Sequence, residues 1–406
     1  MSGRFPGYFL VLKGISIRSA LQWQPRRRDS FGRISGNDQG RGDDHYAAIV
    51  MWTVTVMGGV HGNELLGIEL VKWLVDRLES LQGQGALHEM TGNLNLAIGN
   101  PEAVATGHRS TGVNTDLNRS FSEKNLGGTG VSFRTSSSSS SATSYEEERA
   151  RFLAPILSKT DLLIDIHATN KPGPCFARIA GNIANEHYRI LNSFSCVTHV
   201  LLDPKYTLGG GQVVATDEFV GMHGGIGICI ETGQALDLSR LNAIKNDILT
   251  VLRDEINLEL EEENYCPSEV DVDIKHTIST AVEKDQNTLS SSSPPRRSLK
   301  QFVLEEAILL DECGFDWASI DGEIAGSYNF QLVSAGSPIG YCHLGGKDNG
   351  SYGENSDSAS SVVPISRPFD SYLLFPKIQK LFVHGKPVVW LAKSVSEAEQ
   401  QSIAAQ

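Results

Sequence analysis

A chain of 406 residues is long enough for two domains, one of them large. Its formal net charge of −13 argues against nucleic acid as the main partner, because a phosphate-binding surface needs a basic footprint. No run of apolar residues approaches the roughly 20 that a transmembrane helix requires, so we expect no membrane-spanning helix.

The first 46 residues differ from the rest of the chain. Up to Gly36 they are rich in arginine and contain a single acid, Asp29. Such a composition is typical of organelle transit peptides, and a disordered extension is the alternative. We therefore expect a cytoplasmic protein unless this extension directs it to an organelle.

Residues 47–262 alternate between β-rich runs and amphipathic runs. Strands are predicted over Ile49–Met57, Asn93–Ile98, Asp161–His167 and Gly224–Ile230. Helices are predicted from the residues after Val60 to Leu81, over Glu146–Leu157 and over Ser239–Glu262. Strands that alternate with helices predict an α/β domain with a mostly parallel core.

Polar segments interrupt this pattern. Ser132–Ser144 is serine-rich and predicts a flexible surface loop, and residues 263–298, which end in SSSSPPRR, predict a linker or insertion. Short strands and turns over residues 299–395 predict a small β-rich C-terminal domain, with a Gly/Ser-rich insertion at Gly345–Ser361.

The six cysteines are scattered along the chain, with no C-x-x-C pair. This spacing indicates neither a disulfide framework nor a thiolate zinc site. We therefore expect isolated, reduced thiols, as in intracellular proteins.

The run HGNE stands where the first strand gives way to the first helix. His61 and Glu64 are three residues apart at a helix start, so they should share one face and reach one metal ion. His167, at the end of DLLIDIH, can supply a third ligand, which completes a set suited to catalytic zinc. Asp165 either orients His167 from behind or lies in the pocket itself.

Three further motifs carry candidate residues. Asn118 and Arg119, in the run DLNRSF, would cradle a substrate carboxylate, because arginine binds carboxylates bidentately; a helix cap with a surface arginine is the alternative. Glu231 ends a buried strand, where it is either a general base for an attacking water or a paired structural carboxylate. Arg109 could stabilise an oxyanion. We expect the other histidines at the surface or in the core, and among them only His223 is kept as a candidate for the pocket.

The motifs GGVHGNE, DLNRSF, DIH and IETG, in this order, resemble the aspartoacylase and succinylglutamate desuccinylase family of zinc enzymes. That family is distantly related to zinc carboxypeptidases. The resemblance covers about Val54 to Leu260 and continues more weakly into the C-terminal region. It implies a zinc carboxypeptidase-like α/β fold, a mixed sheet with helices on both faces, plus the small β-rich C-terminal domain.

The resemblance also assigns roles to residues. It implies one zinc ion (Zn2+) per chain with three ligands: His61, Glu64 and His167. It implies that Asn118 and Arg119 bind the substrate carboxylate. Glu231 is implied as the general base and later proton donor, and Arg109 as the residue that polarises the scissile carbonyl.

The activity that the resemblance implies is zinc-dependent deacylation of small N-acyl amino acids, most often N-acetyl-L-aspartate, to acetate and aspartate. A carboxypeptidase-like zinc peptidase and a non-catalytic metal- or carboxylate-binding module are the alternatives. Selectivity for aspartate is open, because Asp217–Ile230 lacks the relatives' arginine, and His384 and Lys386 stand where the relatives place a tyrosine. The sequence also leaves open whether the chain forms a homo-oligomer.

Overall fold

The computed structural model describes residues 9–13, 52–82, 90–113, 115–127, 143–260, 299–310, 314–344, 361–379, 382–396 and 399. Most of the N-terminal extension, the 263–298 linker and nearly all of both serine-rich insertions lie outside the described residues. Among the described helices, none is long and apolar enough to cross a membrane.

The described residues form strands and helices up to Ile256, and from Lys300 they form mainly strands. The strands are β1 (Phe9–Lys13), β2 (Thr53–Gly58), β3 (Asn93–Ile98), β4 (Leu162–Thr169), β5 (Phe176–Ala180), β6 (His199–Asp203), β7 (Ile226–Gln234), β8 (Lys300–Leu309), β9 (Phe315–Trp317), β10 (Ser319–Ile320), β11 (Glu323–Ile324), β12 (Gln331–Val333), β13 (Pro338–Leu344), β14 (Ser361–Ser366), β15 (Ser371–Leu374) and β16 (Pro387–Ser394). The α-helices are α1 (Leu65–Gln82), α2 (Pro101–Thr106), α3 (Glu123–Leu126), α4 (Tyr145–Leu157), α5 (Asn185–Leu191), α6 (Thr216–Met222) and α7 (Leu241–Ile256).

Eleven strands form one sheet, in the order β1-β3-β2-β4-β7-β5-β6-β8-β16-β15-β12. The strands β3, β2, β4 and β7 run parallel to one another, whereas β5 is antiparallel to β7. The sheet is therefore mixed, as the family resemblance implied. The C-terminal region is β-rich as predicted, and its strands β8, β16, β15 and β12 continue this sheet.

Helices cover both faces of the sheet. Val56 of β2 packs into a buried cluster with residues of α1 and α7. The next residue, Met57, packs into a second cluster with residues of α4 and α6. Successive strand residues point to opposite faces, so a strand buried on both faces reads as a continuous apolar run.

Glycines allow α1 to approach β2 closely. A Cβ atom on Gly58 would lie 2.2 Å from the carbonyl oxygen of Gly67, which is a backbone atom with little freedom to move. This contact fixes the end of β2 against the first turns of α1. The connecting residues 59–64 are thereby held at the edge of the sheet where β2 ends.

The ends of several predicted elements differ from the structure. Helix α7 ends at Ile256 and not at Glu262, because Asn257 adopts a left-handed conformation with φ of 53° and closes the helix. Strand β7 continues through Glu231 to Gln234. The strands β5 and β6 were not predicted, since each is a five-residue run between loops.

Two cysteines are not isolated as expected. The Sγ atoms of Cys175 and Cys196 lie 3.2 Å apart, although the residues are 21 positions apart in the chain. Cys175 directly precedes β5, and Cys196 lies in the loop between α5 and β6.

Candidate metal centre and active site

The ends of neighbouring parallel strands gather the candidate residues. His61 and Glu64 follow the end of β2, and His167 lies near the end of β4, the next strand in the sheet. Helix α1 begins only at Leu65, so His61 and Glu64 share a turn, in which Glu64 N–H donates to the His61 carbonyl at 3.2 Å. The expectation that they lie on one helix face was therefore wrong, although both reach the same point.

The two imidazoles direct their Nδ1 atoms at the carboxylate of Glu64. His61 Nδ1 lies 2.6 Å from Glu64 Oε1, and His167 Nδ1 lies 3.0 Å from Glu64 Oε2. All three side chains are buried, and their candidate ligand atoms lie within 4.8 Å of one another. Two imidazole nitrogens and a carboxylate oxygen form a donor set that zinc prefers in catalytic sites. Within the described residues, this is the one cluster that fits a metal ion.

Each imidazole has a carboxylate at its other nitrogen. His61 Nε2 lies 3.0 Å from Asp116 Oδ1, and His167 Nε2 lies 3.0 Å from Asp165 Oδ2. Such carboxylates fix the tautomer and the ring orientation of metal-binding histidines. Asp165 is completely buried and also accepts a hydrogen bond from the Thr216 hydroxyl. Of its two predicted positions, the structure shows the one next to His167, at the ring nitrogen that does not face Glu64.

Asp116, unlike Asp165, was not predicted as a site residue from the sequence. It is the first residue of the DLNR run, so it could have been considered with Asn118 and Arg119. A carboxylate at this position contacts both His61 and Arg109, at 3.0 and 3.1 Å. The run therefore contributes to the metal centre as well as to the pocket.

Charges around Glu64 keep it ionised. Burial by itself would raise the pKa of Glu64, but His61 and His167 outweigh this and hold the pKa well below its usual range. A carboxylate must be ionised to bind a metal ion, so its surroundings already favour the ligand form.

Glu231 is a buried carboxylate without a complete set of partners. Its Oε2 atom is inaccessible to water and has no hydrogen-bond partner among the described residues. Burial and the nearby Glu64 carboxylate together raise the pKa of Glu231 to about 7, against an opposing effect of His167. A carboxyl group with a pKa near neutrality can both accept and return a proton. Among the residues that the structure describes, no group pairs with Oε2 as the alternative of a paired structural carboxylate would require.

Arg109 lies at the edge of the metal centre. Its Nη2 donates to Asp116 Oδ2 at 3.1 Å, and its Nη1 lies 3.4 Å from Glu64 Oε1. Its side chain keeps 44% of its surface exposed, so the guanidinium remains accessible from the pocket. This position suits a group that contacts a substrate carbonyl next to the metal.

Asn118 and Arg119 lie in a short 3₁₀ turn whose first N–H groups are capped by Asp116. The Asn118 Oδ1 atom accepts hydrogen bonds from the Thr216 N–H and hydroxyl groups, at 3.1 and 3.3 Å. Its amide NH2 is therefore the end suited to donate to a substrate. Arg119 is exposed and, like Asn118, lines the pocket. The run thus caps a turn and carries an exposed arginine, as the second predicted alternative has it, and binding of a substrate carboxylate stays a prediction.

A cavity of about 960 Å³ contains all seven predicted site residues: His61, Glu64, Arg109, Asn118, Arg119, His167 and Glu231. Residues of the C-terminal region form a further part of its lining, here called the far wall, which includes Phe375 and Lys377 after β15, Lys386 just before β16, and Trp390 of β16. His223 does not line this cavity. It is exposed at the end of α6, where its Nδ1 lies 2.9 Å from the Phe219 carbonyl, so it takes the expected surface position and not the candidate position in the pocket.

Arg178 also lines the cavity and was not predicted, because strand β5 was missed. It is buried, and its guanidinium contacts Asp217 Oδ1 at 2.6 Å and Glu218 Oε1 at 2.7 Å. These carboxylates, with Asp203 at 3.7 Å, already neutralise its charge. Arg178 is therefore poorly placed to read a second substrate carboxylate.

A comparison with protein families matches residues 51–254, half of the chain, to the succinylglutamate desuccinylase/aspartoacylase catalytic domain. The chain belongs to this family. The match spans β2 to α7 and so includes every residue of the metal centre and Glu231.

Curated members of the succinylglutamate desuccinylase/aspartoacylase family match part of the chain. An N-acyl-aromatic-L-amino acid amidohydrolase (carboxylate-forming) of Xenopus tropicalis is 34% identical over 160 residues, which cover 37% of this chain and 46% of the relative. A probable aspartoacylase of Nostoc sp. is 33% identical over 121 residues, which cover 29% of this chain and 35% of the relative. The matched part is thus less than half of these relatives' length.

Solved structures of the same family share the fold over most of the chain. Succinylglutamate desuccinylase from Vibrio parahaemolyticus has a TM-score of 0.52 at 14% identity and covers 85% of this chain and 82% of its own. The succinylglutamate desuccinylase/aspartoacylase from Rhodobacter sphaeroides has a TM-score of 0.50 at 16% identity, with 86% and 87% coverage. At these identities the likeness shows the fold alone.

Proposed function

We propose that the protein is a zinc-dependent hydrolase that removes the acyl group from N-acyl amino acids. The observation that carries this proposal is the register pairing of His167 and Glu231. It sets a carboxylate whose Oε2 has no hydrogen-bond partner among the described residues beside the buried donor set of His61, Glu64 and His167. Burying a carboxylate without partners costs free energy, and a protein that only binds a metal ion would have no need of such a group.

Each step of the proposed reaction is assigned to particular residues of the chain. One zinc ion per chain, when bound by His61, Glu64 and His167, supplies Lewis-acid polarisation and a lowered pKa of water. Glu231 takes a proton from the attacking water and returns it to the leaving amine, which its raised pKa favours. Arg109 donates hydrogen bonds to the carbonyl oxygen as negative charge develops there.

Asn118 and Arg119 orient the substrate through its α-carboxylate. Arginine can bind this group with two parallel hydrogen bonds, and the Asn118 amide adds a further donor. The carboxylate that they would bind is present on every N-acyl amino acid. This pair therefore accounts for the class of substrate and does not select the side chain.

Lysines in the cavity support N-acetyl-L-aspartate as a substrate. Lys171, Lys377 and Lys386 all line the cavity. Burial lowers the pKa of Lys377, and the positive charges of Arg109, Lys386 and Arg119 lower it further. A substrate with a second carboxylate would relieve this repulsion between cations.

The apolar part of the far wall supports a different side chain. Leu309, Phe375 and Trp390 line the cavity beside these lysines. Aromatic and aliphatic walls favour an apolar ligand group, and one matched relative is named for N-acyl-aromatic amino acids. An N-acyl-aromatic amino acid is therefore the second candidate substrate.

The test is a panel of substrates assayed with zinc-loaded and chelated protein. The panel distinguishes a deacylase from a carboxypeptidase-like enzyme and from a binding module. It contains N-acetyl-aspartate, N-acetyl-phenylalanine, N-succinyl-glutamate and a short peptide with a free C-terminus. Zinc-dependent release of aspartate or phenylalanine supports the proposal and names the substrate. Cleavage of the peptide alone would indicate a carboxypeptidase-like enzyme, and no turnover by zinc-loaded protein would leave a binding module.

Two variants connect the result to the far wall. Lys377→Gln should raise KM for N-acetyl-aspartate more than for N-acetyl-phenylalanine, because it removes a cation and little apolar surface. Trp390→Ala should raise KM for N-acetyl-phenylalanine more than for N-acetyl-aspartate. Equal effects of both variants on both substrates would contradict a role of this wall in side-chain selection.

A further inference from the structure

Cys175 and Cys196 form a pair of thiols outside the metal centre. Their Sγ atoms lie 3.2 Å apart, in direct contact. The backbones around them are also joined, because Thr198 N–H donates to the Cys175 carbonyl at 3.1 Å. The two side chains are therefore held in place by their neighbouring strands, and a small movement would bring the sulfur atoms to bonding distance.

The two thiols differ in exposure. Cys175 keeps 1% of its surface exposed, whereas Cys196 is partly exposed in the loop before β6. A small oxidant can therefore reach Cys196 first. Cys175 is in contact with Cys196 and is itself buried.

We propose that Cys175 and Cys196 form a reversible disulfide by exchange with a small-molecule disulfide such as glutathione disulfide. The Cys196 thiolate attacks one glutathione sulfur, which forms a mixed disulfide and releases one glutathione thiolate. The Cys175 sulfur then attacks Cys196 Sγ, which forms the protein disulfide and releases the second glutathione. Two protein thiols lose two protons and two electrons, and one glutathione disulfide is reduced to two glutathione molecules.

The chemistry of Cys175 agrees with this order. Its hydrogen bond with Cys196 raises its pKa, and burial raises it further. A thiol with a raised pKa is a poor first nucleophile, because only the thiolate attacks a disulfide. Its contact with Cys196 compensates for this in the second step, which takes place between neighbouring atoms.

The disulfide would restrain the segment beside the active-site cavity. Asn170 and Lys171, a few residues before Cys175, line that cavity. Phe176, which directly follows Cys175, is the register partner of Glu231. Linking positions 21 residues apart lowers the entropy of the unfolded chain, so we expect the melting temperature to rise on the order of 5 °C. This inference does not depend on the proposed activity.

The test uses the full chain incubated with glutathione disulfide, then quenched with an alkylating reagent and mapped by mass spectrometry without reduction. We expect a peptide pair that links Cys175 to Cys196, carries no glutathione and separates after reduction. The melting temperature of the oxidised protein should exceed that of the reduced protein. The absence of the linked pair under conditions that oxidise other thiols of the chain would overturn the proposal.

Serine variants test the order of the steps. Cys175→Ser should accumulate a stable glutathione adduct on Cys196, because the resolving thiol is absent. Cys196→Ser should leave Cys175 unmodified in the folded protein. Circular dichroism of both reduced variants checks that they fold, and a misfolded variant is replaced by the alanine substitution. A glutathione adduct on Cys175 in folded Cys196→Ser would contradict the assignment of Cys196 as the entry thiol.

Discussion

His167 and Glu231 lie opposite each other in register on β4 and β7, two neighbouring parallel strands. On its other side, Glu231 is paired with Phe176 of the antiparallel strand β5. Strand pairing, and not a flexible loop, therefore sets the position of the proposed base relative to a proposed metal ligand. The same pairing encloses Glu231 between two strands, which explains its burial and its raised pKa.

The turn that carries His61 and Glu64, two of the proposed ligands, depends on a glycine. A Cβ atom on Gly62 would lie 1.9 Å from the Ala103 carbonyl oxygen, and this backbone atom belongs to α2 and cannot easily move. Gly62→Ala should therefore displace His61 and Glu64 and lower zinc affinity at least about 10-fold, a loss comparable to that from disturbing the groups that orient metal ligands. Competition with a chromophoric chelator measures this affinity.

Gly221→Ala is the matched control for this substitution. A Cβ atom on Gly221 would meet no atom within 4 Å, and this residue lies in helix α6. The zinc affinity of the Gly221→Ala variant should equal that of the wild type. Equal affinities of the Gly62→Ala and Gly221→Ala variants would contradict the role assigned to the turn.

Asp165 is predicted to act on the metal through His167. Its carboxylate lies 3.0 Å from His167 Nε2 and is completely buried. Asp165→Asn should weaken zinc binding about 10- to 100-fold, because the amide no longer orients the imidazole as the carboxylate does. Glu69→Gln, on the exposed face of α1, should leave the affinity unchanged. An Asp165→Asn protein that binds zinc as tightly as the Glu69→Gln protein would refute this role.

The sequence predicted the strands that carry the site better than the surroundings of the site. Long apolar runs with motif residues at their ends indicated β4 and β7, so His167 and Glu231 could be placed at neighbouring strand ends. The contact of Asp116 with His61 depends on how the loop after α2 folds back, and no spacing rule encodes it. The far wall with Phe375 and Trp390 could not be foreseen, because it depends on the C-terminal strands joining the same sheet.

Arg119 is predicted to bind the substrate and not to take part in the chemical step. Arg119→Gln should raise KM about 10- to 100-fold, the effect of losing a hydrogen bond to a charged group, and change kcat much less. Arg253→Gln, on the exposed end of α7, is the matched control and should behave like the wild type. A fall in kcat at constant KM would instead place Arg119 at the reacting carbonyl.

His187, which lies outside the candidate metal centre, is predicted to make the stability of the protein depend on pH. It is buried in α5, its Nδ1 accepts a hydrogen bond from Ala184 N–H at 3.1 Å, and burial lowers its pKa from 6.5 to about 4. Between these values the unfolded chain binds a proton that the folded chain does not, so the free energy of unfolding falls as pH falls from 6.5 towards 4. The loss attributable to this residue should be on the order of 3 kcal/mol.

Denaturant titrations of wild type and His187→Gln at pH 7 and pH 5, both with a chelator, measure this difference. The glutamine variant keeps a side-chain acceptor but cannot be protonated in this range. Its free energy of unfolding should therefore fall less between the two pH values than that of the wild type. The same decrease in both proteins would show that His187 does not contribute to the acid sensitivity.

The central claim is that Glu231 acts as the base beside a metal held by other residues. Glu231→Gln, which keeps the size of the side chain, should therefore bind one zinc ion per chain with unchanged affinity. Its kcat on the best substrate of the panel should fall about 10²- to 10⁴-fold, the usual contribution of a general base. Turnover and zinc content measured on the same preparation decide the question. Wild-type turnover by the zinc-loaded variant, or loss of its zinc, would contradict the account.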